Sequence, residues 1–440
     1  MHAAKLLLIP IVLLIAKPGS NQPQPTGWVG KSVMPKKIGI KLTRVNDDGE
    51  LVEVGELTEL DYRVQGDDKG RILIKSRQGV DGWIDKSQVV LLDDAVIFFT
   101  GRIQQDGNDA DAYNRRAWAW KLKGELDIAI KDFGESLRIN PGAAIYNNRA
   151  TAYHAKRDYP KAIDDYSEAI RLNPKFVLPY FNRALLWEEK RDIDKAIDDY
   201  TEAIKIDNRY ANAYRNRGYM RHLKRDYKDA IEDFSEAIQL DPRDINAYND
   251  RGNSFHDLKE YDKAIRGFNE CVRLEPKFIY AFYNRARAYE AKKDNDKAID
   301  DYSEAIRINP KYSIAYWGRA AVRIRMKDYE KGVADYNEAL RFDGKNANLL
   351  NGVAWLLATC PDEKGRDGKR AVELAKQALE LRKDDPNIMD TLAAAYAEVG
   401  NFDEAVRFQE QALRDPAFEN NPGYRERLEL YKKKIPYRQE

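Results

Sequence analysis

The stretch from Asp158 to Pro174, Asp-Tyr-Pro-Lys-Ala-Ile-Asp-Asp-Tyr-Ser-Glu-Ala-Ile-Arg-Leu-Asn-Pro, returns almost unchanged as Asp294 to Pro310, 136 residues further on, which is four periods of 34. Self-similarity at this spacing constrains the chain to a stack of like supersecondary units. Small residues recur at Ala129, Ala162, Ala196, Ala230, Ala264, Ala298 and Gly332. Four residues after each stands a ring: Phe133, Tyr166, Tyr200, Phe234, Phe268, Tyr302 and Tyr336. Seven residues after each comes a second compact residue: Ser136, Ala169, Ala203, Ala237, Cys271, Ala305 and Ala339. Offsets of four and seven share one helix face, so the pattern is a thin stripe with a ring set into it. A second helix can approach the small residues closely, and the ring fills the space they leave. One such hairpin cannot bury its stripe alone, and stacking several does.

The partner helix is marked by Tyr-x-Asn-Arg-(Ala/Gly) at Tyr146, Tyr180 and Tyr214, with Phe282 opening the same run and Tyr248 carrying Asp250 in the Asn place. Pro141, Pro174, Pro242, Pro276 and Pro310 end the second helices, since proline can neither continue the ladder nor tolerate a helical predecessor. Residues 108–417 thus read as about nine helical hairpins, the last two irregular, with an insertion at Thr359 to Gly368.

This array resembles the tetratricopeptide repeat family over roughly 300 residues, since small, aromatic, small and proline positions recur together in seven consecutive units. It departs where the family has leucine before the small first-helix residue: here stand Arg116, Arg149, Arg183, Arg217, Arg251, Arg285 and Arg319. Their aliphatic stems are expected to pack, with the heads solvated or paired to second-helix acids such as Asp165 and Asp199. The resemblance implies a groove lined by first helices in which peptide segments bind. Carried onto this chain, its solvent-facing positions include Asn147, Asn182, Asn216, Tyr219, Asn249, Tyr283 and Trp317. Carboxamides suit an extended backbone, and aromatic side chains dominate well-packed contacts.

Before the array the period changes. Strand-like pieces at Trp28–Met34, Gly39–Thr43, Leu51–Val54, Leu60–Val64, Arg71–Lys75, Gly82–Ile84 and Val89–Leu92 alternate with turn-forming Asn46-Asp-Asp-Gly, Gly66-Asp-Asp-Lys-Gly and Gln78-Gly-Val-Asp-Gly. Residues 26–93 read as a small closed all-β barrel, a form that leaves no exposed edges. Gly82-Trp83 and the Ile84 to Leu92 stretch resemble the closing strands of a bacterial Src-homology-three-like domain, which implies peptide or cell-wall binding; Trp83 equally suits a core tryptophan. Residues 94–107, with Ala95, Ile97, Phe98 and Ile103, read as a linker helix capping the first hairpin, and 418–440 as a C-terminal capping helix and tail. The apolar run Leu6–Ala16 is too short for a comfortable bilayer crossing and matches a secretory segment. Residues 1–20 therefore predict an exported protein, periplasmic or extracellular, with an uncleaved membrane anchor as the alternative.

Chemistry is hard to find. The 74 basic and 73 acidic residues balance, which favours neither nucleic acid nor an anionic membrane. Two cysteines, Cys271 and Cys360, build neither a disulfide scaffold nor a multi-cysteine zinc site. His154, His222 and His256 share a first-helix position in three units, but stacked repeats hold them too far apart for one metal. No glycine-rich fingerprint links a strand to a helix. The expected function is a non-enzymatic scaffold for protein or peptide partners, without cofactor, metal, nucleic acid or small-molecule substrate. Cell-wall association through the β domain, with the array as a spacer, is the alternative.

Overall fold

The computed structural model describes residues 27–46, 50–75 and 81–439. The N-terminal segment 1–20 with its cleavage site, and most of the turns at 46–49 and 78–82, lie outside the described residues. The chain divides into two compact units, 1–186 and 187–440.

The first unit begins with strands β1 (Ser32–Pro35), β2 (Lys41–Val45), β3 (Leu51–Glu56), β4 (Tyr62–Asp68), β5 (Arg71–Lys75), β6 (Asp81–Asp85) and β7 (Val89–Leu91). They form one antiparallel sheet in the order β3-β2-β6-β5-β4-β1-β7. The expected barrel is not closed, because β3 and β7 do not pair. β7 is only three residues long and runs directly into helix α1 (Leu92–Gln105), which packs on β1 and β7. The helix packs on the face that Met34 and Val90 present, opposite the face of Val33 and Val89. At the other edge, β3 is charged, with Glu53 and Glu56 both paired to Lys41.

Alternation sets the core of the sheet. Ile72 and Ile74 of β5, Ile84 of β6 and Val33, Leu42, Val64 and Val89 all point inward. Trp83 falls out of phase with Ile84, is half-buried and lies over Gly66 on the other face, so it is not the core tryptophan. In α1 the buried pair is Ala95 and Phe99, one helical turn apart, whereas Ile97 is 76% exposed. The linker stripe therefore runs through Phe99 rather than Ile97, because two residues along a helix turn a side chain to the far side.

The β domain is welded to the first hairpin. Arg115 is 2% exposed, donates through Nη1 to the Pro35 carbonyl at 2.9 Å and pairs with Asp111 at 2.8 Å. Arg102 donates to the Lys36 carbonyl at 2.8 Å, and Trp118 Nε1 to Asp61 at 2.7 Å. Met34 and Val90 of the sheet share a core with Ala95, Phe99, Ala112 and Ala119.

From Ala110 onward the described residues form nine helix pairs. First helices are α2 (Ala110–Leu122), α4 (Ala143–Ala155), α6 (Val177–Glu189), α8 (Ala211–Leu223), α10 (Ile245–Asp257), α12 (Ile279–Ala291), α14 (Ser313–Arg325), α16 (Ala347–Thr359) and α18 (Pro386–Glu398). Second helices are α3 (Leu126–Ile139), α5 (Tyr159–Leu172), α7 (Ile193–Ile206), α9 (Tyr227–Leu240), α11 (Tyr261–Leu274), α13 (Asn295–Ile308), α15 (Tyr329–Phe342), α17 (Gly368–Leu381) and α19 (Phe402–Ala412). α6 carries the division between the two units. The small and aromatic stripe is buried throughout: from Ala129 and Phe133 to Ala298 and Tyr302 each is at most 1% exposed. Helices α3, α5, α9, α11 and α13 each stop two residues before a proline. In eight of the nine hairpins, all but that of α16 and α17 with its longer connection, the turn holds one left-handed residue, which is Gly124 in the first and Gly400 in the last. Between them Arg157, Arg191, Arg225, Lys259, Lys293 and Lys327 take that conformation despite their side chains.

The C-terminal end is closed by α20 (Pro422–Lys432) and a tail that returns over α16. There Trp355 Nε1 donates to Gln439 at 3.0 Å, and the Gln439 amide donates to the Thr359 carbonyl at 2.9 Å. Among the described residues no helix is long and apolar enough to cross a membrane.

Candidate functional site

The repeated arginines decide which acidic residues are left without a cationic partner. Arg116, Arg149, Arg217, Arg285 and Arg319 each present Nε and Nη2 to an aspartate sixteen residues on: Asp132, Asp165, Asp233, Asp301 and Asp335. The ten bonds run from 2.7 to 3.0 Å, the two-pronged geometry in which guanidinium and carboxylate match. Each guanidinium also lies 5.4–5.6 Å from the ring three residues before it. Nη1 of Arg116, Arg217 and Arg319 reaches back to Thr100, Thr201 and Ser303, so the arginine ties its own hairpin to the preceding helix. The expected pairing with second-helix acids thus holds for these five. Their aspartates are buried and fully engaged by these pairs.

Six of the seven candidate binding residues occupy two adjacent positions of the first helix, and Tyr219 lies further along α8. Asn147, Asn249, Tyr283 and Trp317 follow the opening aromatic directly, whereas Asn182 and Asn216 stand one residue further on. These positions hydrogen-bond across a repeat boundary. Asn182 Nδ2 donates to Asn147 Oδ1 at 3.0 Å, and Asn284 Nδ2 to Asn249 Oδ1 at 2.9 Å. Asn147 is accordingly 5% exposed and not solvent-facing, because carboxamides one repeat apart satisfy each other. Asn148 Nδ2 likewise donates to Asn114 Oδ1 at 3.2 Å, so the signal in the sequence was a carboxamide directly after the opening aromatic in one unit and two residues after it in the next. Asn216 Nδ2 donates to the Tyr200 hydroxyl at 3.1 Å. Tyr219 is half-buried, and Tyr283 packs on Tyr302 and Tyr312 with ring centroids 5.8 Å away in both cases. Trp317 is half-buried at the edge of the large C-terminal core. In the second unit α8 touches α10, α10 touches α12 and α12 touches α14, which sets Tyr219, Asn249, Tyr283 and Trp317 along successive neighbouring helices.

Two carboxyls beside this row were not singled out from the sequence as site residues. Burial pushes Glu188 up to about 7, against the opposing charge of Arg215, and the Tyr200 hydroxyl donates to its Oε1 at 2.5 Å. Burial likewise raises Asp250 to about 6, where it accepts from Asn249 Nδ2 at 3.1 Å. Burial pushes the Tyr219 phenol upward as well, and the charges of Asp250 and Glu188 add to the shift. The substitution of Asp250 for asparagine in the Tyr-x-Asn-Arg run was the one visible sign. Glu188, in the last turn of α6, had none.

The linkage for Glu188 has a definite sign. A carboxyl near 7 in the fold and in its ordinary range when unfolded favours folding only when protonated. That contribution is complete below the ordinary carboxylate range and is lost as pH rises through about 7. Glu188→Gln keeps an acceptor for Tyr200 and removes the charge. It is expected to flatten the Tm profile between about pH 5 and 8 and to raise Tm at the alkaline end, read by circular dichroism. A profile parallel to the parent's throughout would contradict the burial assigned to this group.

The histidines serve packing. His154, His222 and His256 meet Tyr159, Tyr227 and Tyr261 edge-on at 5.9, 5.3 and 5.4 Å, and His222 Nδ1 lies 2.9 Å from Ser254 Oγ. Cys271 is buried, its thiol pushed up to about 12 by burial, and Cys360 is buried at the end of α16.

Models described as tetratricopeptide repeats match residues 143–176, 211–244 and 279–312, residues 179–210 and 245–278, and residues 387–415. No curated protein sequence matches the chain. Among solved structures, the MamA protein is 24% identical over 38% of this chain and 92% of its own, with a TM-score of 0.37. YrrB, described as a TPR protein with an unusual peptide-binding site, is 19% identical over 42% of this chain and 96% of its own, with a TM-score of 0.37. Yeast Tom70 is 17% identical over 78% of this chain and 92% of its own, with a TM-score of 0.44. Hairpins built on a buried small–aromatic–small stripe, matched by the repeat family in six stretches, place the chain among the tetratricopeptide repeat proteins.

Proposed function

We propose that the chain is a non-enzymatic scaffold that holds a peptide or protein segment along the row of first helices α8, α10, α12 and α14. The observation that supports this reading is the contrast within the row. The small residues that let the helices pack, Ala213, Ala247, Ala281 and Ala315, are sealed, while Tyr219, Asn249, Tyr283 and Trp317 remain partly exposed on neighbouring helices. Half-buried aromatic side chains lose little freedom on binding and offer large contact area, which makes them effective anchors. The raised carboxyls of Glu188 and Asp250 make the α8–α10 end a better seat for donors, whether backbone N–H groups or basic side chains, than for acceptors.

The test is capture of partners from the native source by the full chain, followed by titration of each recovered partner. Replacing Tyr283 and Trp317 together by alanine is expected to weaken binding by about tenfold or more, with helix content unchanged by circular dichroism. A double variant that binds every recovered partner as the parent does removes the row from consideration.

A further inference from the structure

Arg251 breaks the arginine–aspartate ladder. Position 267, where its sister units carry Asp132, Asp165, Asp199, Asp233, Asp301 and Asp335, is Gly267. The residue before it changes too: the acidic pairs Asp164-Asp165, Asp198-Asp199, Glu232-Asp233 and Asp300-Asp301 become Arg266-Gly267 here. Arg251 otherwise keeps the sister geometry. Nη1 donates to Ser235 Oγ at 3.1 Å, and the guanidinium lies 5.6 Å from the Tyr248 ring. Its Nε, the atom that binds aspartate in the five paired units, is buried without a hydrogen-bond partner. Leaving a charged donor unmatched is expensive, and burial alone holds Arg251 below its ordinary value, the reverse of Arg149 beside Asp165.

The same groove opens in two successive units, which permits a direct comparison. In one, of about 530 Å³, Arg217 and Arg221 face Glu232, Asp233 and Glu236, and Asp233 accepts from Arg217 Nε, Arg217 Nη2 and Arg221 Nη1 at 3.0, 2.7 and 2.8 Å. In the next, of about 490 Å³, the lining is Arg251, Phe255, Lys263, Arg266, Gly267, Asn269 and Glu270. Three acids against two bases become one acid against three bases. The one acid, Glu270, is held by Arg273 at 2.7 Å, and Lys263 is shared with Glu260. Arg266 stays exposed at the mouth.

We infer that the groove between Arg251 and Gly267 is a binding site for a carboxylate, which takes the place of the absent aspartate and accepts from Arg251 Nε. The shape required is on display five times in this chain, and it is planar and two-pronged. The carboxylate belongs either to an acidic side chain of a bound protein or to a small free acid. The site stands on its own observations and does not depend on the first-helix row.

The test follows the Arg251 Nε–Hε resonance of the full chain, assigned with Arg251→Lys, during titration with sodium acetate, N-acetylglutamate α-amide, sodium phosphate and sodium chloride. Saturable movement at millimolar acetate and N-acetylglutamate α-amide, and none in chloride, is expected. Tighter binding of N-acetylglutamate α-amide than of acetate assigns the site to protein-borne acids, and equal binding assigns it to small acids. Gly267→Asp supplies the carboxylate internally, as its sister units do, and is expected to weaken the response to both by about tenfold or more. An unmoved resonance, movement in phosphate alone, or an equal response in a folded Gly267→Asp chain overturns the inference. The parent titration decides the matter even if that variant does not fold.

Discussion

Replacing Arg427 by alanine is expected to cost the 187–440 unit about 3–5 kcal/mol, among the largest losses available to any single substitution in it. Asp390 is buried in α18 and accepts from Arg427 Nε and Nη2 at 2.8 Å each and from Gln409 Nε2 at 2.7 Å. The guanidinium lies between the rings of Trp355, Tyr424 and Tyr437, at 5.1, 4.8 and 5.3 Å. One side chain therefore joins α16, α18, α20 and the C-terminal tail. Alanine leaves Asp390 with a buried, largely uncompensated charge and strips a cation from three aromatic faces. Lysine should restore little, because a point charge cannot make both bonds in one plane. Guanidinium denaturation followed by Trp355 fluorescence would measure the loss. A change under about 1 kcal/mol would mean that the end of the array is held by apolar contact alone.

Phe234→Ala is expected to cost about 3–5 kcal/mol for a different reason. Phe234 is fully buried between Ala230 and Ala237, and a Cβ built on Gly218 of α8 would stand 3.0 Å from its ring. The ring is therefore the volume that the small residues leave vacant, and its removal opens a cavity between α8 and α9. Gly218→Ala provides the internal control. It should destabilise the parent, where both the ring and the Asp233 Cβ stand 3.0 Å from the added methyl, and should cost less in Phe234→Ala, where only the Asp233 contact remains. Because stacked units lean only on their neighbours, faster amide exchange should appear in α8, α9 and the adjoining helices but not in α18. Exchange that rises uniformly from 187 to 440 would show that the unit unfolds as one block.

The legible parts of this fold were those written as a period. Helix pairs follow from residues such as Ala162, Tyr166 and Ala169, because offsets of four and seven define a helix face whatever surrounds it. Strand positions followed from alternation, so β5 and β6 fall where Arg71–Lys75 and Gly82–Ile84 predict them. Closure was not legible. It depends on whether β3 can reach β7, at opposite ends of the strand order, and these two do not pair. In the candidate row the sequence named positions but not their exposure: Asn147 proved to be hydrogen-bonded and buried. Glu188 became a titrating group only through its burial against Tyr200.

By itself the sequence determined the unit, the number of hairpins and the identity of the stripe that holds each together, since all three are local patterns repeated in register. The tertiary structure alone decided which polar atoms find partners. Whether a carboxamide faces water or its counterpart, and whether an arginine meets a carboxylate or an open groove, depends on contacts between residues 16 to 37 positions apart. Hydrogen bonds are short and directional, so a separation in sequence becomes an interaction only once the stacking of helices has set the distance.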